Sequence, residues 1–362
     1  MQALRMPCAP CAPHRAGRGA PPRLAPLQPR PQSGRAAAAA APPAPRRGGV
    51  AARVAAGAGP AASFPDHWDS RKAGALLRLA RIHNLAPSTL LVAVGACAGS
   101  GSLAALRSPV VWLMALLSGG IAVSSCVVND YFDLRVDLRN APDKPLASGA
   151  ITTDAALLLS SALYCGVLIV ACFMEPTQLR SIVALSAAAT LLYTPIFKRL
   201  TAVKNATVAA VIALAPLAGA LAAGAGEAGA RRLLPAVLWA FGGILYREIL
   251  MDVTDAEGDA ANGIKTLPVV LGPRAALAAA TACAAAGAAA AASAAAAAAP
   301  AAAAAGAPAA AAAVVALCGA RLLHLSLRVL RSGFDRRVLD QAISGCLKPV
   351  GLGIVLLAAL AA

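Results

Sequence analysis

From Leu85 onward the chain is a series of apolar segments, each near the length that crosses a bilayer, at about 85-106, 109-132, 154-173, 178-196, 204-224, 233-253, 273-299, 301-324 and 345-361. A helix needs roughly 20 apolar residues to span the hydrocarbon, and lipid offers the backbone no hydrogen-bond partners, so repeated segments of this kind must be helical. With 59% apolar and 13% charged residues and a mean hydropathy of +0.69, the chain lies far from a soluble composition. The expected fold class is an all-α membrane protein with nine transmembrane helices. The seventh and eighth segments are almost pure alanine between Ala275 and Ala313, interrupted by Pro300 and Pro308. Alanine is the best helix former but only marginally hydrophobic.

Charge placement sets the orientation. With nine spans, the residues before the first helix and the even-numbered loops carry 19 Lys and Arg, against four (Arg107, Arg180, Arg231 and Arg232) on the other side. Basic residues accumulate on the side that is not translocated. The net charge of +16 does not indicate nucleic acid, because nine of the 32 basic residues are arginines between Arg5 and Arg53, ahead of the first acid, Asp66. An Arg-rich, acid-free, Ala/Pro-rich leader over residues 1-62 reads as an organelle transit peptide, disordered and outside the membrane domain at 63-362. Seven of the nine cysteines fall in or beside apolar segments and read as small hydrophobes, while Cys8 and Cys11 lie in the leader without a redox context.

Two acidic clusters stand out against this background. Asp130, Asp133 and Asp137 follow the second apolar run, and Asp252, Asp255, Glu257 and Asp259 follow the sixth. Asn129, Asp133 and Asp137 are spaced i, i+4 and i+8, and Asp252, Asp255 and Asp259 i, i+3 and i+7, so each set is expected to share a helical face, with Asp130 off the first. Crowded carboxylates repel unless a cation compensates them, and Mg²⁺ suits a hard-oxygen set that leaves positions for water or phosphate. Both clusters fall on the predicted basic face, among Lys144, Tyr193, Lys198, Arg199, Arg247 and Lys265. Metal-holding acids ringed by Lys and Arg describe a phosphate ester site.

These residues resemble the UbiA superfamily of intramembrane prenyltransferases. The first cluster matches an NDxxDxxxD pattern and the second a DxxxD-type element; Lys144 to Gly149, Tyr193 to Lys198 and Gly263 to Pro268 are similar to further family elements. Arg81-Ile82-His83-Asn84 resembles the Arg-Pro-x-Asn segment ahead of the first helix, with Ile82 in place of proline. The resemblance implies nine helices around a central cavity, both acidic motifs binding Mg²⁺-diphosphate, and transfer of a prenyl group from a prenyl diphosphate to a hydrophobic acceptor. It implies Asn129, Asp133, Asp137, Asp252, Asp255 and Asp259 as metal ligands, and Lys198, Arg81 and Lys144 on the diphosphate. Asn84, Tyr193, Arg199 and Lys265 complete the substrate-binding set, and Asp133, Asp252 and Lys198 are the expected catalytic residues.

Two hints about the acceptor point in different directions. The leader favours an aromatic precursor of a prenylquinone, tocopherol or related lipid in an organelle membrane, plastid before mitochondrion, with the site facing stroma or matrix. The stretch Arg247 to Asp259 instead resembles the geranylgeranylglyceryl-phosphate geranylgeranyltransferase branch, although chlorophyll synthase and homogentisate prenyltransferase branches share its Glu-Gly-Asp triplet. Other classes fit less well: a CDP-alcohol phosphotransferase needs an Asp-Gly-x-x-Ala-Arg start that neither cluster has. A cation transporter would hold its acids near the bilayer midplane. The sequence sets no oligomeric state.

Overall fold

A computed structural model describes residues 70-298 and 306-362; the expected transit peptide at 1-62 lies outside the described residues. The chain is an integral membrane protein built of helices. A short amphipathic helix α1 (Ser70–Leu79) leads through a 3-10 turn, Ile82–Asn84, into α2 (Leu85–Ser100). There follow α3 (Pro109–Asn140), α4 (Thr153–Cys172), α5 (Thr177–Tyr193), α6 (Val203–Ala213), α7 (Ala215–Ala222) and α8 (Gly226–Arg232). The second half comprises α9 (Leu234–Ala261), α10 (Leu267–Leu271), α11 (Pro273–Ala298), α12 (Gly306–Arg331), α13 (Arg336–Gly345) and α14 (Leu347–Ala361).

Among the described residues eight helical stretches are long and apolar enough to cross a membrane, not nine. The difference lies at the fourth expected segment: α5 is helical over 17 residues, at the short end of the lengths that cross a bilayer. The fifth segment is one span made of two helices, broken between Ala213 and Ala215 ahead of Pro216, whose ring cannot continue the hydrogen-bond ladder. The alanine-rich stretch forms α11 and α12, with Pro300 outside the described residues.

The interior divides into two cores. One gathers α6, α9, α11, α12 and α14 around Trp239, Tyr246 and Leu250; the other gathers α2, α3, α4, α5 and α7 around Val92, Val111 and Leu179. Helices in lipid gain little from hydrophobic association, so close approach through small residues takes its place. A Cβ on Gly95 of α2 would overlap the Pro216 carbonyl oxygen of α7, and one on Gly219 would overlap the Val92 carbonyl oxygen, so the two backbones touch there.

For the site, the lengths of α3 and α9 matter most. Both run past their apolar segments, carrying the acidic clusters on regular helix at one end of the bundle: the first cluster lies wholly within Pro109–Asn140 and the second within Leu234–Ala261.

Candidate active site

The first cluster does not act as one file. Asp133 is held by Lys198, whose Nζ donates to Oδ1 at 2.6 Å and to Oδ2 at 2.5 Å. Asp130 and Asp137 instead share Lys144, whose Nζ donates at 3.2 Å to Asp130 Oδ1 and at 2.8 Å to Asp137 Oδ2. Arg81 Nη2 completes this group, donating to Asp130 Oδ1 at 2.9 Å.

The expectation that Asp130 lies off the common face is thereby corrected. Seven residues fall about 20° short of two full helical turns, so Asp130 and Asp137 are nearly superposed along α3. Asp130 is 3% exposed, and a buried carboxylate without a cation would be costly. Burial by itself would lower the Lys144 pKa, but the hydrogen bond to Asp137 and the charge of Asp130 outweigh it and hold the ammonium above its ordinary value.

Two non-glycine residues beside these contacts have left-handed backbone. Arg81 has φ 45°, and Ala202, between Lys198 and Lys204, has φ 65°. Left-handed backbone at non-glycine residues is strained and persists only where surrounding contacts hold it. The Arg81 ion pair is one such contact; the turn at Ala202 separates the lysine that serves Asp133 from the lysine that serves Asp252.

Lys204 and Asn205 carry a signal that the sequence reading passed over. Lys204 Nζ stands 2.6 Å from Asp252 Oδ1 and Asn205 Nδ2 donates to Oδ2 at 2.9 Å, so both oxygens of the second cluster's leading acid are engaged. All three side chains are largely buried. Their only sequence cue is position, at the start of the helix after the Tyr193 to Lys198 loop.

Tyr193, the last residue of α5, feels the charge of both clusters. Its hydroxyl lies within electrostatic reach of Glu248, Asp252, Asp133 and Asp259, carboxylates from both α3 and α9. A cavity of about 560 Å³ opens beside it, lined by Phe132, Asp133, Thr194, Pro195, Lys198 and the Asn262 to Lys265 loop. That loop is tied down at both ends: Ile264 N–H donates to the Asp259 carbonyl at 2.8 Å, and Thr201 Oγ1 donates to the Lys265 carbonyl at 2.6 Å. Lys265 therefore borders the same space as Asp133 and Lys198.

Other expected residues sit further out. Asn129 is half-buried, Asn84 and Asp255 are exposed, and Asp255 feels Arg336 as well as Asp252 and Lys204. The Arg199 side chain lies outside the described residues. Among the described residues no three His, Cys, Asp or Glu side chains converge closely enough to enclose a metal. Each buried acid is neutralised by a lysine or arginine from another element. The donor set still fits Mg²⁺, which takes one or two carboxylates and completes its octahedron with water and phosphate oxygens; Asp133, Asp252 and Asp259 around Tyr193 offer hard oxygens of that kind.

Comparison with known proteins follows the same line. Residues 87–335 match the model of the UbiA prenyltransferase family. Digeranylgeranylglyceryl phosphate synthase of Natronomonas pharaonis is 36% identical over 203 residues, 56% of this chain and 70% of that protein. Its counterpart in Thermococcus kodakarensis is 32% identical over 203 residues, with the same coverage of 56% and 70%. Among solved structures, a digeranylgeranylglyceryl phosphate synthase superposes with a TM-score of 0.62 at 19% identity, covering 80% of this chain and 98% of that one. A UbiA homologue from Archaeoglobus fulgidus bound to GPP and Mg²⁺ gives 0.51 at 21% identity, covering 78% and 99%. With its helical membrane fold and this match over most of its length, the chain belongs to the UbiA prenyltransferase family.

Proposed function

We propose that this prenyltransferase moves a polyprenyl group from an allylic diphosphate to a glycerol phosphate ether acceptor of the geranylgeranylglyceryl phosphate type. The observation that carries the reading is the meeting of Asp133, Lys198 and Lys265 on one cavity, next to Tyr193, which feels carboxylates of both clusters. Sequence similarity to the digeranylgeranylglyceryl phosphate synthases supports the acceptor class.

In this reading Mg²⁺ ions would each be held by one or two of Asp133, Asp252 and Asp259, with diphosphate and water completing the coordination, and would neutralise charge on the diphosphate. Lys198 and Lys204, already beside two of these acids, bring further positive charge to the leaving group. As the prenyl C–O bond breaks, its electron pair goes to diphosphate. The acceptor hydroxyl oxygen then bonds to the allylic carbon and gives up its proton, yielding an ether and hydrogen diphosphate. Apolar helices let the isoprenoid chain lie in lipid while its charged head reaches the cavity.

An organelle membrane, plastid before mitochondrion, with the cavity toward stroma or matrix, belongs to the same reading; it rests on the Arg-rich leader and on the 19 to four charge bias. The leader also favours a second acceptor reading, an aromatic quinone or tocopherol precursor.

The test is incubation of the purified full chain with Mg²⁺, geranylgeranyl or phytyl diphosphate, and either geranylgeranylglyceryl phosphate or homogentisate, with products read by mass. A doubly prenylated glycerol phosphate is expected. Product from homogentisate alone would transfer the assignment to the aromatic reading, and intact diphosphate with every acceptor would defeat both.

A further inference from the structure

Four basic side chains at this site are already committed. Arg81, Lys144, Lys198 and Lys204 each lie within 3.2 Å of an aspartate oxygen. Lys265 borders the cavity, is exposed, and pairs with no carboxylate among the described residues. Its backbone is nevertheless fixed, through the Thr201 hydroxyl on its carbonyl and the Ile264 N–H on Asp259. A cation presented on an anchored loop into a cavity, rather than onto an acid, is disposed to meet an anion arriving from outside.

A second observation concerns a residue of the same lining. Thr194 also lines the cavity, is 7% exposed, and its Oγ1 has no hydrogen-bond partner among the described residues. A buried hydroxyl left unpaired costs free energy until something accepts from it. A phosphate oxygen would satisfy it.

We propose that Thr194 Oγ1 and Lys265 Nζ form the seat for the acceptor's phosphate, distinct from the carboxylate-bearing groups that serve the donor diphosphate. This inference rests on the glycerol phosphate reading above and deepens it by naming the residues that select a phosphate-bearing acceptor. One cavity then holds both reactants, with Asp133 and Lys198 on the donor side and Thr194 and Lys265 on the acceptor side.

Binding to the full chain in detergent, without turnover, tests the seat directly. Calorimetric titration with geranylgeranylglyceryl phosphate should show affinity falling roughly tenfold or more in Lys265→Met and in Thr194→Val, with Lys265→Arg within about threefold of the parent. Affinity for geranylgeranyl diphosphate with Mg²⁺ should move by less than about threefold in the same proteins. Unphosphorylated geranylgeranylglycerol should bind parent and Lys265→Met alike. Helical melting curves matching the parent's establish that the variants are folded, and the near-isosteric Thr194→Val keeps the test open if Lys265→Met is not. Acceptor affinity unchanged, or donor affinity falling as far as acceptor affinity, overturns the seat. Failure of the parent to bind the phosphorylated lipid overturns seat and acceptor reading together. A parent that prenylates the glycerol phosphate while both variants bind it normally overturns the seat alone.

Discussion

Lys204 of α6 holds Asp252 of α9 at 2.6 Å, with both side chains nearly shut off from solvent, and so joins the second acidic cluster to the loop that serves the first. Removing one member of a buried ion pair leaves the other charged and unpaired. Lys204→Met is therefore expected to destabilise the protein by about 3 kcal/mol, while Lys204→Met combined with Asp252→Leu recovers much of that loss. Thermal melts of the four proteins of this double-mutant cycle measure the coupling.

Asp133→Ala and Asp252→Ala should each lower Mg²⁺-dependent transfer by about a hundredfold or more, because each removes charge that positions the diphosphate. Membrane insertion should persist, since α3 and α9 remain apolar along most of their lengths. Prenyl transfer assayed on proteoliposomes at matched protein content decides this, and full activity in either variant defeats the assignment. Chelating Mg²⁺ in the parent should abolish transfer and restoring it should recover the rate.

Lys144 makes the stability depend on alkaline pH. Its folded pKa lies above the unfolded value, so its contribution is fully present below the unfolded pKa and is lost as pH rises through the folded one. Denaturation midpoints followed from neutral pH upward should fall only above the ordinary lysine range, and the Lys144→Met protein should show a shallower fall. An equal slope in parent and variant would show that Lys144 has no part in it.

Gly219→Leu should separate α7 from α2, since even a Cβ at this position meets the Val92 carbonyl. The overpacking cost is about 2 kcal/mol or more, and a lower melting temperature in detergent is the readout. Gly166 of α4, where a Cβ would meet nothing, is the control: Gly166→Ala should melt like the parent.

Much of this protein is written in local sequence. Apolar segments of bilayer length specify helices because lipid satisfies no backbone group, and the alanine-rich stretch obeys the same rule as α11 and α12. The two acidic clusters at helix ends are legible for the same reason, since a run of carboxylates after an apolar segment has no structural use in a membrane. Asp130 was legible too: the seven-residue spacing to Asp137 already places them together, and only a stricter helical angle was needed to see it.

Which cation meets which acid is not local. Lys198 finds Asp133 across 65 residues, Lys204 finds Asp252 across 48, and Thr201 meets the Lys265 carbonyl across 64; these pairings follow from how α3, α6 and α9 cross. Hydrophobic periodicity defines a helix's buried face but not the neighbour it packs against, and a long lysine reaches any acid within several ångströms of its stem. The sequence by itself determined a helical membrane protein with two acidic helix ends on a basic face. The tertiary structure alone decided that the acids are divided among lysines and that Thr194 and Lys265 are left facing the cavity, because charge pairing depends on distances that only helix packing sets.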